Sequence, residues 1–383
     1  MAIFILLTTI FFLPIMKDPF WLSKNLLFTL LGLMFIGYGY ITEKKRTFNN
    51  LWLGLIFIYI SLHFGWFFIK PLMLADINSK ITWNLWNFLP TLNCIIGLVL
   101  IKTLVESETK RKYLDIANFL CWSGFILSIY AIIQFLGIDQ IFNSNLNWVM
   151  EATPRVLGKS FEPYRMVLFF GNKMQTAVYL ACLSPLCLMF KDFRYKLFYI
   201  VICLAVLLTK SYLGIICVTT GFLSYLVFTK RFRLALSGAG VCIVMFFILL
   251  RLHPSFFNLY GKLGLYKQVF LDGCKTFFTG SGIGVFPFLN YDIGNYWLKD
   301  LGFELLQAFR EGGIILVILI SGYFINLGWR LFKSEKNMLL IGYTVSLITW
   351  LIAGLGGYTV HLAPFGLIGI LYISSLETQI QED

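Results

Sequence analysis

Cations recur where this sequence leaves its apolar runs: Arg155, Arg165, Lys173, Lys210, Arg251 and Lys262. Fixed guanidinium and ammonium donors are what phosphoryl oxygens require, so a phosphate-bearing ligand is one reading of the set. Each has a plainer reading too. Lys173 can snorkel to water, Lys210 falls at a loop tip, and lysines of an interfacial helix meet lipid headgroups. Two carboxylates, Glu304 and Glu311, share one helical face by their spacing. Either suits a general base, and either suits a helix N-terminal charge or, for Glu311 beside Arg310, an ion pair. His253 and His361 have the intrinsic pKa of a base, but both fall at span ends where polar interface residues are expected. His63 falls in mid-span, where a buried hydrogen-bonding role suffices.

The elements that must position these groups follow from composition. The chain has 383 residues, 58% hydrophobic and 13% charged, with mean hydropathy +0.79. Soluble proteins carry about 45–50% apolar and about 25% charged residues. Runs near twenty apolar residues recur from end to end, and each is long enough for a bilayer core of about 30 Å. The expected fold class is therefore all-α, a polytopic integral membrane protein whose residues 1–383 form one transmembrane domain. Twelve spans are expected, at about 2–16, 20–42, 51–69, 85–105, 113–137, 166–190, 197–209, 211–229, 234–250, 304–331, 338–356 and 360–376. The alternation of a β-barrel is absent. The first run lacks a basic flank and a small-residue cleavage site, so it reads as a retained span and not a signal peptide. The net charge of +12 is scattered over loops and does not form one basic domain, which argues against nucleic acid. No CxxC pair or Cys/His ligand spacing occurs among the eight cysteines, so disulfide and zinc frameworks are not expected.

Loop charge orients the spans. Glu43–Arg46, Lys110–Lys112, Lys191–Lys196, Lys230–Arg233 and Arg330–Lys336 all fall on one side and each holds basic residues at a span end. That side is the cytoplasm by the positive-inside rule, and both termini belong with it. The outer side receives Lys70–Asn84, Ile138–Pro163 and the long external loop 251–303. Only Lys210 and Ser211 separate the seventh and eighth spans, which are either a hairpin or one broken helix. Within the long loop, Leu263, Tyr266, Phe270, Cys274 and Phe277 recur at helical spacing, with Lys262, Lys267, Gln268, Asp272 and Lys275 largely elsewhere on the wheel. That pattern predicts an amphipathic helix lying on the outer interface, apolar face down. Gly280-Ser281-Gly282-Ile283-Gly284 has no strand before it, so it reads as a tight turn back to the membrane and not as a dinucleotide loop.

In order and spacing, several of these stretches resemble the O-antigen ligase and O-antigen polymerase superfamily, which includes bacterial protein O-oligosaccharyltransferases. Phe170-Gly171-Asn172-Lys173 through Ala177-Val178-Tyr179-Leu180 is similar to the family's Phe-Gly-Asn span. Thr209-Lys210-Ser211 is similar to its threonine–serine–arginine helix start. Lys262 to Tyr266, then Gly280 to Phe286, resemble its external helix and glycine turn, and Leu305-Leu306-Gln307 through Glu311-Gly312-Gly313 its next span entry. The similarity covers roughly Arg155 to Gly313. It departs at Gly302, where the ligases carry histidine, at Tyr212, where the family has arginine, and at Lys262, which keeps charge but loses bidentate geometry. The resemblance implies transfer of a glycan from a polyprenyl-pyrophosphate carrier to a glycan or lipid acceptor, at the outer face of the bacterial cytoplasmic membrane. It implies Arg155, Arg165, Lys173, Lys210, Arg251 and Lys262 for the pyrophosphate, Glu311, Glu304 or His253 as base, and no metal or organic cofactor. Membrane lipids and other envelope-biosynthesis proteins would be the remaining partners. Two other readings stand beside it: a transporter or flippase of a lipid-linked or anionic solute, and a non-catalytic scaffold subunit.

Overall fold

A computed structural model describes residues 32–34, 36–37, 47–73, 77–136, 173–240, 259–281, 304–355 and 363–382 of the chain. The described residues form helices and no strand, so the protein is all-α. In chain order the helices are α1 (Leu51–Met73), α2 (Ile77–Ser107), α3 (Lys110–Phe135), α4 (Lys173–Cys187), α5 (Phe193–Leu208) and α6 (Tyr212–Phe228). They continue with α7 (Leu259–Lys275), α8 (Glu304–Lys333), α9 (Met338–Gly354) and α10 (Ala363–Glu382). Residues 232–240 are helical as well. Among the described residues, Lys110–Phe135 and Leu305–Lys333 are long and apolar enough to cross a membrane. Leu51–His63, Met174–Cys187, Tyr212–Phe228 and Met338–Gly354 are shorter apolar helices.

Polar residues between the apolar runs become caps. The Asn50 side chain accepts from Trp52 N and Leu53 N at 3.1 and 3.3 Å, Asp192 from Arg194 N at 3.0 Å, and Asn337 from Leu340 N at 2.8 Å. Each satisfies a backbone donor that the first helical turn leaves without a partner. Two expectations about element bounds change, and one open alternative is decided. The stretch 70–84 is not a long loop: α1 runs to Met73 and α2 resumes at Ile77, because a helix satisfies its own backbone beyond the end of its apolar run. The seventh and eighth spans form a hairpin of two antiparallel helices. The span expected at 304–331 breaks at Gly313. Of the spans expected at 2–16 and 20–42, only a few positions are described, and the loop 138–163 lies outside the described residues.

Close approaches give the helix directions. Gly214 lies against Ala177, and Gly221 against Pro185, so α4 and α6 run parallel and touch where glycine removes a side chain. A Cβ on Gly214 would stand 2.5 Å from that of Ala177. Gly124 of α3 meets Leu183 of α4 and Ile202 of α5, and Gly342 of α9 meets Met189 just past α4. Helix α10 returns antiparallel to α9, with Gly369 under Trp350. Helix α1 lies antiparallel to α8, with Trp52 on Gly322 and Tyr59 beside Gly312. One end of the bundle therefore gathers the basic connections: Lys110 to Lys112, Lys191 to Lys196, Lys230 to Arg233, and Arg330 to Lys336. The opposite end holds the start of α4, the α5–α6 tip, α7 and the break in α8.

The core is built from buried tyrosines as well as aliphatics. Tyr113, Tyr179, Tyr343 and Tyr372 are fully buried. Tyr343 donates to the Tyr113 carbonyl and Tyr372 to the Cys182 carbonyl, both at 2.8 Å, so these two rings are buried with their hydroxyls partnered.

Candidate functional site

The break in α8 organises the end away from the basic connections. Gly313 sits at φ +67°, ψ −173°, in the first third of α8, where the polar segment that ends at Glu311 gives way to an apolar run. A break of this kind frees backbone groups, and each one named here finds a partner. The Arg310 carbonyl accepts from both the backbone N–H and the hydroxyl of Ser281, each at 3.0 Å. Ile314 N donates to the Phe277 carbonyl at 2.8 Å, and the Tyr59 hydroxyl donates to the Gly312 carbonyl. The segment after α7 is thus stitched to the broken helix by backbone bonds, strand-fashion, within a helical protein. Gly280, also at φ +67°, makes the stitch possible. A Cβ there would overlap the Glu311 carbonyl and Gly313 N, and a Cβ on Gly313 would overlap the Phe278 carbonyl and Gly280 N. The two glycines fill each other's missing side-chain space.

Glu311 lies at this break and is only 3% exposed. Gln307 Nε2, one turn earlier, donates to its Oε1 at 3.4 Å. The second segment of α8 begins just beyond, so the carboxylate lies near a positive helix end. Neighbouring Arg310 donates from Nη1 to Thr276 Oγ1 at 3.3 Å, a further tie to the end of α7. Phe309 is buried against Gly273 of α7, with the Phe270 and Phe277 rings at 5.7 and 5.8 Å.

The stripe that periodicity marks for the outer interface is open: Phe270, Cys274 and Phe277 are exposed, while Leu265, Val269 and Gly273 on another arc are buried. Gly273, with no side chain, lets the helix approach Phe309 closely, and the Phe270 and Phe277 rings flank it. The helix therefore has two apolar arcs, one packed and one open. Lys262 falls in its first turn, and Lys267 and Lys275 are exposed. Lys275 pairs with Asp272 at 2.7 Å.

The α5–α6 tip stands beside α7. Burial pushes the Tyr266 hydroxyl above its ordinary pKa, and the neighbouring Tyr212 hydroxyl adds to the shift. At the tip, Thr209 Oγ1 donates to the Val206 carbonyl at 2.6 Å and accepts from Ser211 N at 3.2 Å. Ser211 in turn caps α6 by accepting from Gly214 N at 3.4 Å. Between them Lys210 is exposed and held at φ +53°, a left-handed conformation uncommon outside glycine and asparagine. Lys173 opens α4 at the same end, because α4 and α6 are parallel.

Of the residues that sequence reasoning selects, the structure brings Glu311, Lys210, Lys173 and Lys262 to this end, and Glu304 opens α8 there. Arg155, Arg165, Arg251 and His253 lie outside the described residues. Tyr59, Thr276, Ser281 and Gln307 escape that reasoning. The paired glycines after Glu311, inside an apolar run, are the one sequence signal for the break that engages them.

A second polar cluster occupies the basic end. Glu377 of α10 has no exposure, yet Arg330 grips it with two bonds, Nη1 to Oε2 at 2.7 Å and Nη2 to Oε1 at 2.6 Å. Tyr323 donates to Oε1 at 3.0 Å and Asn50 Nδ2 at 3.2 Å, so the carboxylate ties α1, α8 and α10 together. Nearby in chain order to the same end, Glu106 accepts from Phe48 N at 3.2 Å. No three histidine, cysteine, aspartate or glutamate side chains among the described residues come together as metal ligands. No family model, no curated protein and no solved structure matches the chain.

Proposed function

We propose that the chain is a polytopic membrane glycosyl transferase acting from the outer face of the bacterial cytoplasmic membrane, with a polyprenyl-pyrophosphate-linked glycan as donor. The observation that carries this reading is the meeting, at one end of the bundle, of the Lys210 tip, the start of α4 and the lysine-bearing α7 with the helix break at Glu311. Cations and a sheltered carboxylate are the parts such a transfer needs. The acceptor hydroxyl oxygen bonds to the anomeric carbon, and the bond from that carbon to the pyrophosphate oxygen breaks, its electron pair leaving on the lipid pyrophosphate. The hydroxyl proton passes to a carboxylate, Glu311 first and Glu304 second, with His253 as the alternative base. Lys173, Lys210 and Lys262, with Arg155, Arg165 and Arg251, answer the charge that develops on the leaving pyrophosphate. Membrane orientation follows the positive-inside rule, with the basic end in the cytoplasm.

The test is glycan transfer by purified protein in lipid bilayers, with wild type compared against Lys262→Ala, Arg155→Ala and Glu311→Gln. Longer glycans or a glycosylated acceptor are expected with wild type. Loss of the base should slow transfer by about 10²–10⁴-fold. Donor binding without product under any acceptor would end the enzyme reading.

A transporter or flippase of a lipid-linked or anionic solute is the second reading, favoured by two observations. Helix α8 is discontinuous, and buried polar groups occur at the far end as well, at Glu377 and Tyr323, with half-buried Arg330 beside them. Broken helices commonly line solute paths. Movement of the labelled donor across vesicles without any change in glycan length would support it.

A further inference from the structure

The open arc of α7 is the largest feature that the transfer reading leaves without a role. Phe270 and Leu271 are 52% and 53% exposed, and Phe278, just past the helix end, is 67% exposed. Cys274 is exposed between them. At 3.6 residues per turn, Phe270, Cys274, Lys267 and Leu271 fall in that order within an arc of about 100°, opposite the buried Leu265 and Val269. An arc of Phe270, Cys274 and Leu271, with a lysine among them and Phe278 beyond its end, is costly to leave in water. It suits a surface whose interior is apolar and whose rim is anionic.

We infer that this edge of α7 is a phospholipid docking surface, in which Phe270, Leu271, Cys274 and Phe278 enter the outer leaflet and Lys267 meets lipid phosphate. The inference rests on the membrane reading above and specifies the partner of the same end of the bundle. Two observations select lipid as the occupant. The first is position: Phe270 of the open arc stacks on Phe309 of α8, and α8 exposes Ile318, Ile325, Trp329 and Phe332 along its length. A helix that meets acyl chains along one side carries α7 at the level where that side ends. The second is charge. Asp272, an acid on this helix, is already paired with Lys275, so Lys267 presents a cation to the headgroup layer, with its stem lying along the rings. The backbone stitch holds α7 at this depth, since Phe277 and Ser281 cannot rise from the leaflet without breaking their bonds to α8.

Cys274 supplies the reporter. A nitroxide spin label on Cys274 of the full chain, in nanodiscs, reads collisions with oxygen, which concentrates in lipid, against a water-soluble nickel chelate. A Cys274→Ser protein treated alike gives the background from other cysteines. In discs containing phosphatidylglycerol, oxygen collisions should dominate. Lys267→Glu should shift the label toward the nickel chelate in those discs and leave it unmoved in phosphatidylcholine discs. Leu271→Ser with Phe278→Ser, both at exposed positions and so tolerated by the fold, should shift it in both. Dominance of the nickel chelate in anionic discs would overturn the proposal. So would shielding from both reagents, the sign of a protein covering the face. Equal depth in the two lipids, unaffected by Lys267→Glu, would overturn the headgroup contact. No donor or acceptor is present, so a protein inactive in transfer still answers this question, and an active one can still fail it.

Discussion

Gly280 and Gly313 are the residues at which the smallest change should matter most. Each has a left-handed φ, and each would drive a Cβ into the other's backbone. Gly313→Ala is expected to lower stability by about 1–3 kcal/mol from backbone strain alone, with the overlap adding to it. Thermal unfolding in detergent checks this, and the double alanine variant should be no worse than the sum, since either change already opens the stitch. Tyr59→Phe removes one hydrogen bond to the Gly312 carbonyl and should cost about 0.5–1.5 kcal/mol. Lys210 poses the opposite case. Its left-handed backbone is a local strain that Lys210→Gly relieves, by about 1 kcal/mol. If the ammonium serves the pyrophosphate, the same variant is more stable and slower in transfer, a combination that simple damage to the fold does not produce. Asp192 gives a pH dependence. Side-chain hydrogen bonds from Arg194, at 2.9 and 2.6 Å, and the backbone bond from Arg194 N hold its carboxyl below the usual range. Its contribution is therefore full above the unfolded carboxyl pKa of about 3.9 and is lost as pH falls through the lower folded value. The difference in melting temperature between wild type and Asp192→Asn should be present at neutral pH and vanish in strong acid.

Among the elements, the legible ones were those whose signals are local. The all-helical class follows from the apolar runs, and the polar pair Lys210 and Ser211 narrowed the seventh and eighth spans to a hairpin or one broken helix. The lengths of α1 and α2 were not legible, because hydropathy reports where a helix is apolar and not where its hydrogen bonding stops. On α7, periodicity marks Phe270 and Phe277 for the outer interface; both are exposed and their rings also flank Phe309, whereas nothing local marks the close approach at Gly273. Val269→Phe, at a fully buried position, should disturb the packing of α7 more than Phe270→Ser does. Protease cleavage of native protein after residue 259 is the measurement, with faster cutting expected for Val269→Phe. The candidate site was half visible. Glu311 and the cations could be picked by type, but the groups that seat Glu311 come from α1 and from the end of α7, and no local pattern announces contacts between such distant segments.

At the scale of the whole molecule, the parallel packing of α4 and α6 and the antiparallel pairs around them separate two ends of unlike chemistry. One carries the dense basic connections, and the other carries the helix break, the tip and α7. In sealed, right-side-out vesicles, a membrane-impermeant maleimide should modify Lys210→Cys without permeabilisation and Lys333→Cys only after it. Reaction of both from the outside would contradict the proposed orientation. The basic end is held by the buried Glu377, and removing one partner of such a pair costs about 3–5 kcal/mol. Arg330→Met, which strands the fully buried carboxylate, should approach that loss in thermal unfolding, whereas Glu377→Met combined with Arg330→Met should lose less, because no charge is then left buried alone. The same carboxylate bears on how the chain assembles during synthesis. Asn50, Tyr323 and Arg330 all precede it, so α1 and α8 enter their surroundings before the group that clasps them exists. Until residue 377 emerges from the ribosome, Arg330 is a charge without its counterpart, and the outer helices are open to quality-control proteases. A chain arrested before that point should be short-lived in cells, and the closing of this one contact marks when the nascent protein becomes durable.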